Sequence, residues 1–94
     1  MQDFKKHYFV QFDDPELFNK IIFLEADKNY TIIYFINGQS KRSAYNLLVF
    51  EKLFNSDSNF RRIHKTFIVN ASHIDSINFA DCSLTLQTGK VLPI

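Results

Sequence analysis

No disulfide can close within this chain, because Cys82 is its only cysteine. That fits a reducing compartment and leaves no set of thiolates for a structural zinc. No apolar run approaches the roughly 20 residues that cross a bilayer. Met1-Gln2-Asp3-Phe4-Lys5-Lys6 lacks the apolar stretch of a secretory leader. The expectation is a cytoplasmic protein with no membrane partner. Two glycines and two prolines leave little room for long flexible linkers. Gly38 and Gly89 stand apart in turn contexts, so no glycine-rich loop is present to cradle phosphates.

Catalysis is equally hard to assemble. His7, His64 and His73 do not show the spacing of zinc ligands. Cys82 with a distant histidine would make a nucleophile pair, but any chain with one cysteine and three histidines offers that. Asp13, Asp14 and Glu16 could attract a metal, yet a turn beside Pro15 accounts for them more simply. The expectation is therefore no enzyme, no metal and no cofactor.

What the chain does hold is bulk. Hydrophobic residues are 46% of its 94 residues, with eleven phenylalanines and four tyrosines, enough for one core in one domain. Aromatic and β-branched residues favour strands. The net charge of +1 says little, but its distribution says more. Residues 1–27 hold three lysines against six acids. Residues 28–50 hold Lys28, Lys41 and Arg42 with no acid, and residues 61–74 hold Arg61, Arg62 and Lys65 with no acid. A fold that joined the last two stretches would own a basic edge, the least that a phosphate backbone needs. An unevenly charged solvated surface is the plainer reading of the same numbers.

Along the chain, His7 to Phe12 reads as a strand stopped at Asp13-Asp14-Pro15. Lys20 to Ala26 and Tyr30 to Ile36 read as strands, the second with large residues on both faces. Asn37-Gly38 is a hairpin signal, because both residues tolerate positive φ, and Gln39 to Ser43 is the return strand. Ala44 to Asn55 is the one helical candidate, with Ser43 as its cap and Leu47, Phe50 and Phe54 on one face. Ser56 to Asn59 is a loop. Phe67 to Val69 and Ile74 to Phe79 are strands flanking Asn70-Ala71-Ser72-His73, and Leu84 to Gln87 turns through Thr88-Gly89-Lys90 into Val91 to Ile94. The fold class expected is mainly β: short antiparallel strands in small packed sheets, with one short helix near residues 44–55.

One segment stands apart. In Asn59-Phe60-Arg61-Arg62-Ile63-His64-Lys65-Thr66-Phe67-Ile68-Val69-Asn70, basic residues, a histidine and a hydroxyl lie between apolar anchors. Phe60 and Phe67 to Val69 can hold the segment in a core while Arg62, His64 and Lys65 project outward. Arginine and lysine suit phosphates or the acceptor edge of guanine, and histidine can donate or accept at a base edge. His64 as an ordinary satisfied histidine stays open beside that reading.

This segment resembles the most distinctive stretch of LytTR-type (LytR/AlgR) DNA-binding domains: a Phe, an Arg, a His-Arg-Ser-like triplet, then aromatic-Val-Asn. Here these are Phe60, Arg62, His64-Lys65-Thr66 and Phe67 to Asn70. Ile22 to Tyr30 resembles the family's opening strand ending in Glu-Ala, with its polar turn and tyrosine. Asn37-Gly38, Leu47 to Phe54, Ile74 to Ile77 and Gly89 to Ile94 continue the pattern in order, so the resemblance spans roughly residues 8–94. It implies a single domain of short antiparallel sheets that binds double-stranded DNA through loops entering neighbouring major grooves.

Carried over by position, the reading loops contain Lys28, Asn29 and Tyr30 in one case and His64 and Lys65 in the other. Arg62 and Thr66 would contact phosphate or brace the loop, and Lys41 and Arg42 are weaker phosphate contacts placed by charge. Lys65 stands where arginine is common, and lysine lacks the rigid bidentate contact to guanine. Family members continue past the Pro-Ile with Ser-Arg and a basic tail, whereas this sequence stops at Ile94. A third DNA contact is thus expected to be missing, from a truncated piece or a naturally short protein. The resemblance implies the output domain of a bacterial transcription regulator, behind a receiver domain or sensor, with a second protomer on repeated half-sites. The alternative is a protein–protein interaction module that turns the same basic loops on an acidic partner.

Overall fold

The computed structural model describes residues 15–54 and 59–94. In chain order they form α1 (Pro15–Lys20), β1 (Ile21–Asp27), β2 (Tyr30–Phe35), β3 (Ser40–Ser43) and α2 (Leu47–Leu53). Then follow β4 (Phe60–Arg62), β5 (Phe67–Asn70), a 3-10 helix (Ala71–His73), β6 (Ile74–Asn78), β7 (Ser83–Leu86) and β8 (Val91–Pro93). The chain is mainly β, with two antiparallel sheets: five strands in the order β3-β2-β1-β5-β4, and three in the order β6-β7-β8. No described helix is long and apolar enough to cross a membrane.

Ile21, Ile22, Phe23 and Leu24 are all buried, which a strand manages only when both its faces are covered. A register shift in the β1–β2 ladder between Ile21 and Phe23 goes with this run. Ile21 and Leu24 join Ile33, Ile68, Leu47, Phe50, Phe54 and Phe60 in one core cluster, beneath α2. Ile22 and Phe23 join Val69 and the three inward leucines of the small sheet, Leu84, Leu86 and Leu92, in a second cluster. The five-stranded sheet is thus the middle of three layers. Phe54 stacks on Phe60 at 4.3 Å, and Phe18 of α1 meets both edge-on.

Local chemistry explains the elements that differ from expectation. Pro15, read as a turn residue, opens α1, where its missing N–H is harmless and its fixed φ suits a first turn. Helix α2 starts later than Ala44: its cap is Asn46, whose Oδ1 accepts from the Val49 N–H at 3.2 Å. Ser43 instead accepts from the Tyr45 N–H in a short turn. Phe60 to Arg62 forms a strand that the sequence reading did not assign, and Ala71 to His73 coil into a 3-10 turn. The Asn37-Gly38 hairpin is present, but only Gly38 takes positive φ, +87°. Phe35 accepts from the Gly38 N–H and donates to Gln39, a three-residue loop closed by a left-handed glycine. Gly89 closes the β7–β8 loop in the same way. The strand read at His7 to Phe12, Asp13-Asp14 and the loop at Ser56 to Ser58 lie outside the described residues.

On the small-sheet side, the Tyr34 hydroxyl donates to Glu25 Oε1 at 3.0 Å, and its ring stacks on Phe23 at 4.4 Å. Partial burial raises the phenol above its usual 10.0, helped by the hydrogen bond to Glu25 and by the charges of Glu25 and Asp27. A raised phenol means that the fold favours the protonated form. Its contribution is whole below about pH 10 and is lost as pH rises through the raised value. Urea midpoints measured on either side of pH 10 are expected to fall more steeply in the native chain than in Tyr34→Phe. Equal slopes would show that the phenol is not coupled to folding.

Candidate nucleic-acid interface

Register places the candidate residues. The β1–β2 ladder runs to the pair Asp27–Tyr30 and leaves Lys28 and Asn29 as a two-residue connection. Lys28 sits at φ +59°, a left-handed backbone that costs a non-glycine residue about 1 kcal/mol. On the other side of β1, β5 pairs through Glu25–Phe67, and the Thr66 carbonyl accepts from the Ala26 N–H at 2.8 Å. That bond draws the β4–β5 turn level with the β1–β2 turn. Because β1 and β5 are neighbours, the two hairpin turns lie side by side at one end of the sheet. With strands about 4.8 Å apart, their centres are roughly 10 Å apart.

The end of β3 reaches the same place, since Thr31 pairs with Ser43 and Ile32 with Arg42. The Arg42 guanidinium lies 4.5 Å from the centre of the Tyr30 ring and 3.5 Å from Asp27 Oδ2, with its side chain 59% exposed. Tyr30 is itself exposed. Lys41 falls elsewhere: it pairs with Ile33, one residue further from the turns, and alternation puts it on the opposite face from Arg42. The buried Thr31 hydroxyl donates to the Tyr45 carbonyl at 2.8 Å and ties the segment before α2 to this end.

The second turn is held from inside. Phe67 donates its N–H to the His64 carbonyl at 3.2 Å, and the Thr66 N–H donates to His64 Nδ1 at 3.1 Å. With Nδ1 accepting, the neutral ring carries its hydrogen on Nε2 and can present a donor. Arg62 donates from Nε to the His64 carbonyl at 3.0 Å, from Nη2 to the Lys65 carbonyl at 2.6 Å, and from Nη1 to Glu51 Oε1 at 2.8 Å. Lys65 is exposed, and neither it nor Lys28 makes an ion pair among the described residues. Asn29 is exposed and Thr66 half-buried.

So the structure brings Lys28, Asn29, Tyr30, Arg42, Arg62, His64, Lys65 and Thr66 to one end of one sheet and leaves Lys41 apart. Two acids at this end escaped the sequence reading. Asp27 counts in the sequence toward the acidic first stretch and lies within the motif from Ile22 to Tyr30, but neither reveals its pairing with Arg42. Glu51 carried no signal, being eleven residues from the arginine that it meets. Other candidate chemistry lies elsewhere. His73 Nε2 is 2.6 Å from the Asn19 carbonyl, at the far end of β5. Cys82 is exposed in the β6–β7 turn, its Sγ 3.7 Å from the Phe79 carbonyl. Among the described residues, no three His, Cys, Asp or Glu side chains are grouped to hold a metal ion.

Comparison with known proteins gives this arrangement a lineage. The model of the LytTr DNA-binding domain family matches residues 15–94. Four solved protein chains match. One is described as the LytTr DNA-binding domain of a methyl-accepting/DNA response regulator from Bacillus cereus. It is 32% identical, with a TM-score of 0.71 over 82% of this chain and 72% of the other. No curated protein matches.

Proposed function

The chain belongs to the LytTR family of DNA-binding domains, and from that premise we propose that it reads double-stranded DNA in a sequence-specific manner through the paired turns at Lys28–Tyr30 and His64–Thr66. The observation that supports this most is the convergence of the two turns with Arg42 at one sheet end. Turns roughly 10 Å apart fit within the ~12 Å width of one major groove. Lys65 and the His64 Nε2–H face base acceptors or phosphate. Lys28, with no ion pair among the described residues, meets phosphate.

In the cell the module acts as the cytoplasmic output domain of a transcription regulator, under an upstream receiver or sensor. A second protomer on a repeated half-site supplies the affinity that one small module lacks. No catalytic step is assigned to it.

Asp27 works against binding in this reading. Its carboxylate holds Arg42 at the DNA-facing end, 3.5 Å away, while both side chains remain exposed. Asp27→Asn releases that cation and removes a charge that repels phosphate. Binding to a mixed-sequence duplex is expected to tighten several-fold, and the slope of log affinity against log salt to steepen by up to about 0.9. Anisotropy titrations at four salt concentrations measure both. An unchanged slope would mean that Arg42 does not reach the backbone.

The decisive experiment is selection of bound sequences from a random duplex pool at near-physiological salt. An enriched motif supports the reading. Absence of any enrichment would turn the assignment toward a module that docks the same basic turns on an acidic protein.

A further inference from the structure

Arg62 joins three separate segments at the candidate interface. It leaves strand β4, donates to two successive carbonyls of the reading turn, and is anchored on α2 by Glu51. Its side chain is only 27% exposed despite its charge. The two carbonyls that it gathers, those of His64 and Lys65, fix how the peptide planes on either side of Lys65 are turned, and with them the direction in which the Lys65 side chain leaves the backbone. Three well-aligned donors to three acceptors make a brace with little freedom. Without Glu51, the guanidinium keeps the two carbonyls but loses the anchor that sets its own position.

We infer that Glu51, on the exposed side of α2, is a positioning residue that fixes the shape of the His64–Thr66 turn through Arg62 and thereby sets the DNA sequence it selects. This rests on the DNA-reading role proposed above. The sign of the effect separates positioning from bulk electrostatics. A carboxylate close to DNA repels phosphate, so its simple removal should strengthen binding to every duplex. Positioning demands the opposite for the preferred site alone.

Glu51→Ala and Glu51→Gln are compared on a duplex selected by the native chain and on a mixed-sequence duplex of equal length. Glu51→Ala is expected to weaken the selected duplex about tenfold, the scale of one misplaced base contact. Binding to the mixed duplex stays level or tightens. Glu51→Gln keeps an acceptor for Arg62 Nη1 and should restore most of the selectivity while still lacking the charge. Equal tightening on both duplexes by both variants would overturn the inference.

Hydrogen exchange in the free protein gives a second reading that needs no DNA. The Thr66 and Phe67 amides, which close the turn, are expected to exchange about tenfold faster in Glu51→Ala and at the native rate in Glu51→Gln. Unaltered exchange in Glu51→Ala would sink the inference even if DNA binding changed. If the native chain selects no sequence, the DNA-reading proposal fails on its own, and the amides still decide whether Glu51 holds the turn.

Discussion

A chain carrying His64→Ala and Lys65→Ala is expected to fold normally and to lose its selected DNA site. Affinity for that site should fall about a hundredfold, while binding to mixed-sequence duplex falls only several-fold. The size follows from two base-edge contacts at about 1–3 kcal/mol each, where a hundredfold is about 2.7 kcal/mol. Retention of the fold follows from placement. Neither residue belongs to either core cluster, and the Arg62 brace grips the backbone carbonyls of both positions, which the substitutions leave in place. His64 does lend Nδ1 to the Thr66 N–H, so Lys65→Ala alone is the cleaner companion, since its contacts to the rest of the turn are through its backbone. Circular dichroism checks the fold, and titration of both duplexes checks the ratio. Native-like binding to the selected site by the double variant would remove this turn from the interface.

The largest loss of stability from a single polar side chain is expected at Asn70, and Asn70→Ala should cost about 2–4 kcal/mol. Asn70 is 2% exposed at the end of β5, and every polar atom of its amide is used. Its Nδ2 donates to the carbonyls of Ile21 at 2.8 Å and Phe18 at 3.3 Å, and its Oδ1 accepts from the Ser72 N–H at 3.0 Å. One side chain therefore satisfies the end of α1, the first residue of β1 and the start of the 3-10 turn. Alanine removes the side-chain partner of all three backbone groups, the Ile21 carbonyl among them in a buried position. Urea denaturation should show a lower midpoint with an unchanged slope. Asn70→Asp keeps the bond to Ser72 and loses both donors, so its deficit tests how the total divides. A loss below about 1 kcal/mol for alanine would mean that the backbone finds other partners.

Asn70 also shows what a sequence does and does not disclose. The resemblance marked it as the last letter of an aromatic-Val-Asn motif, but nothing in spacing revealed that it bonds to residues 49 and 52 positions away. Strands β1, β2, β5, β6, β7 and β8 were legible because apolar and β-branched runs are cut by turn residues, and α2 because Leu47, Phe50 and Phe54 recur at helical spacing. Helix α1 was not, because six residues give too little periodicity to register. Strand β4 was not, because two of its three residues are arginines and carry no apolar alternation. The candidate site divides in the same way. Its cations were visible as charge in the sequence, and the two candidate turns as motif. That the loops are neighbours depends on β1 lying between β2 and β5, a fact of pairing between distant segments. The partners of Arg42 and Arg62 depend on it too, which is why Asp27 and Glu51 emerged only with the fold.

The strand order carries one more consequence, for solubility. Among the described residues, the margins of the five-stranded sheet are β3 and β4, and each bears two adjacent basic residues, Lys41-Arg42 and Arg61-Arg62. A bare strand margin is a template on which an identical strand can add, and such growth is how sheets pass into aggregates. An identical molecule approaching either margin brings its own basic pair against another, and like charges directly opposite destabilise the pairing. Neutral replacement of both Lys41 and Arg42 would remove that repulsion from the β3 margin, where copies of this chain could then stack strand on strand.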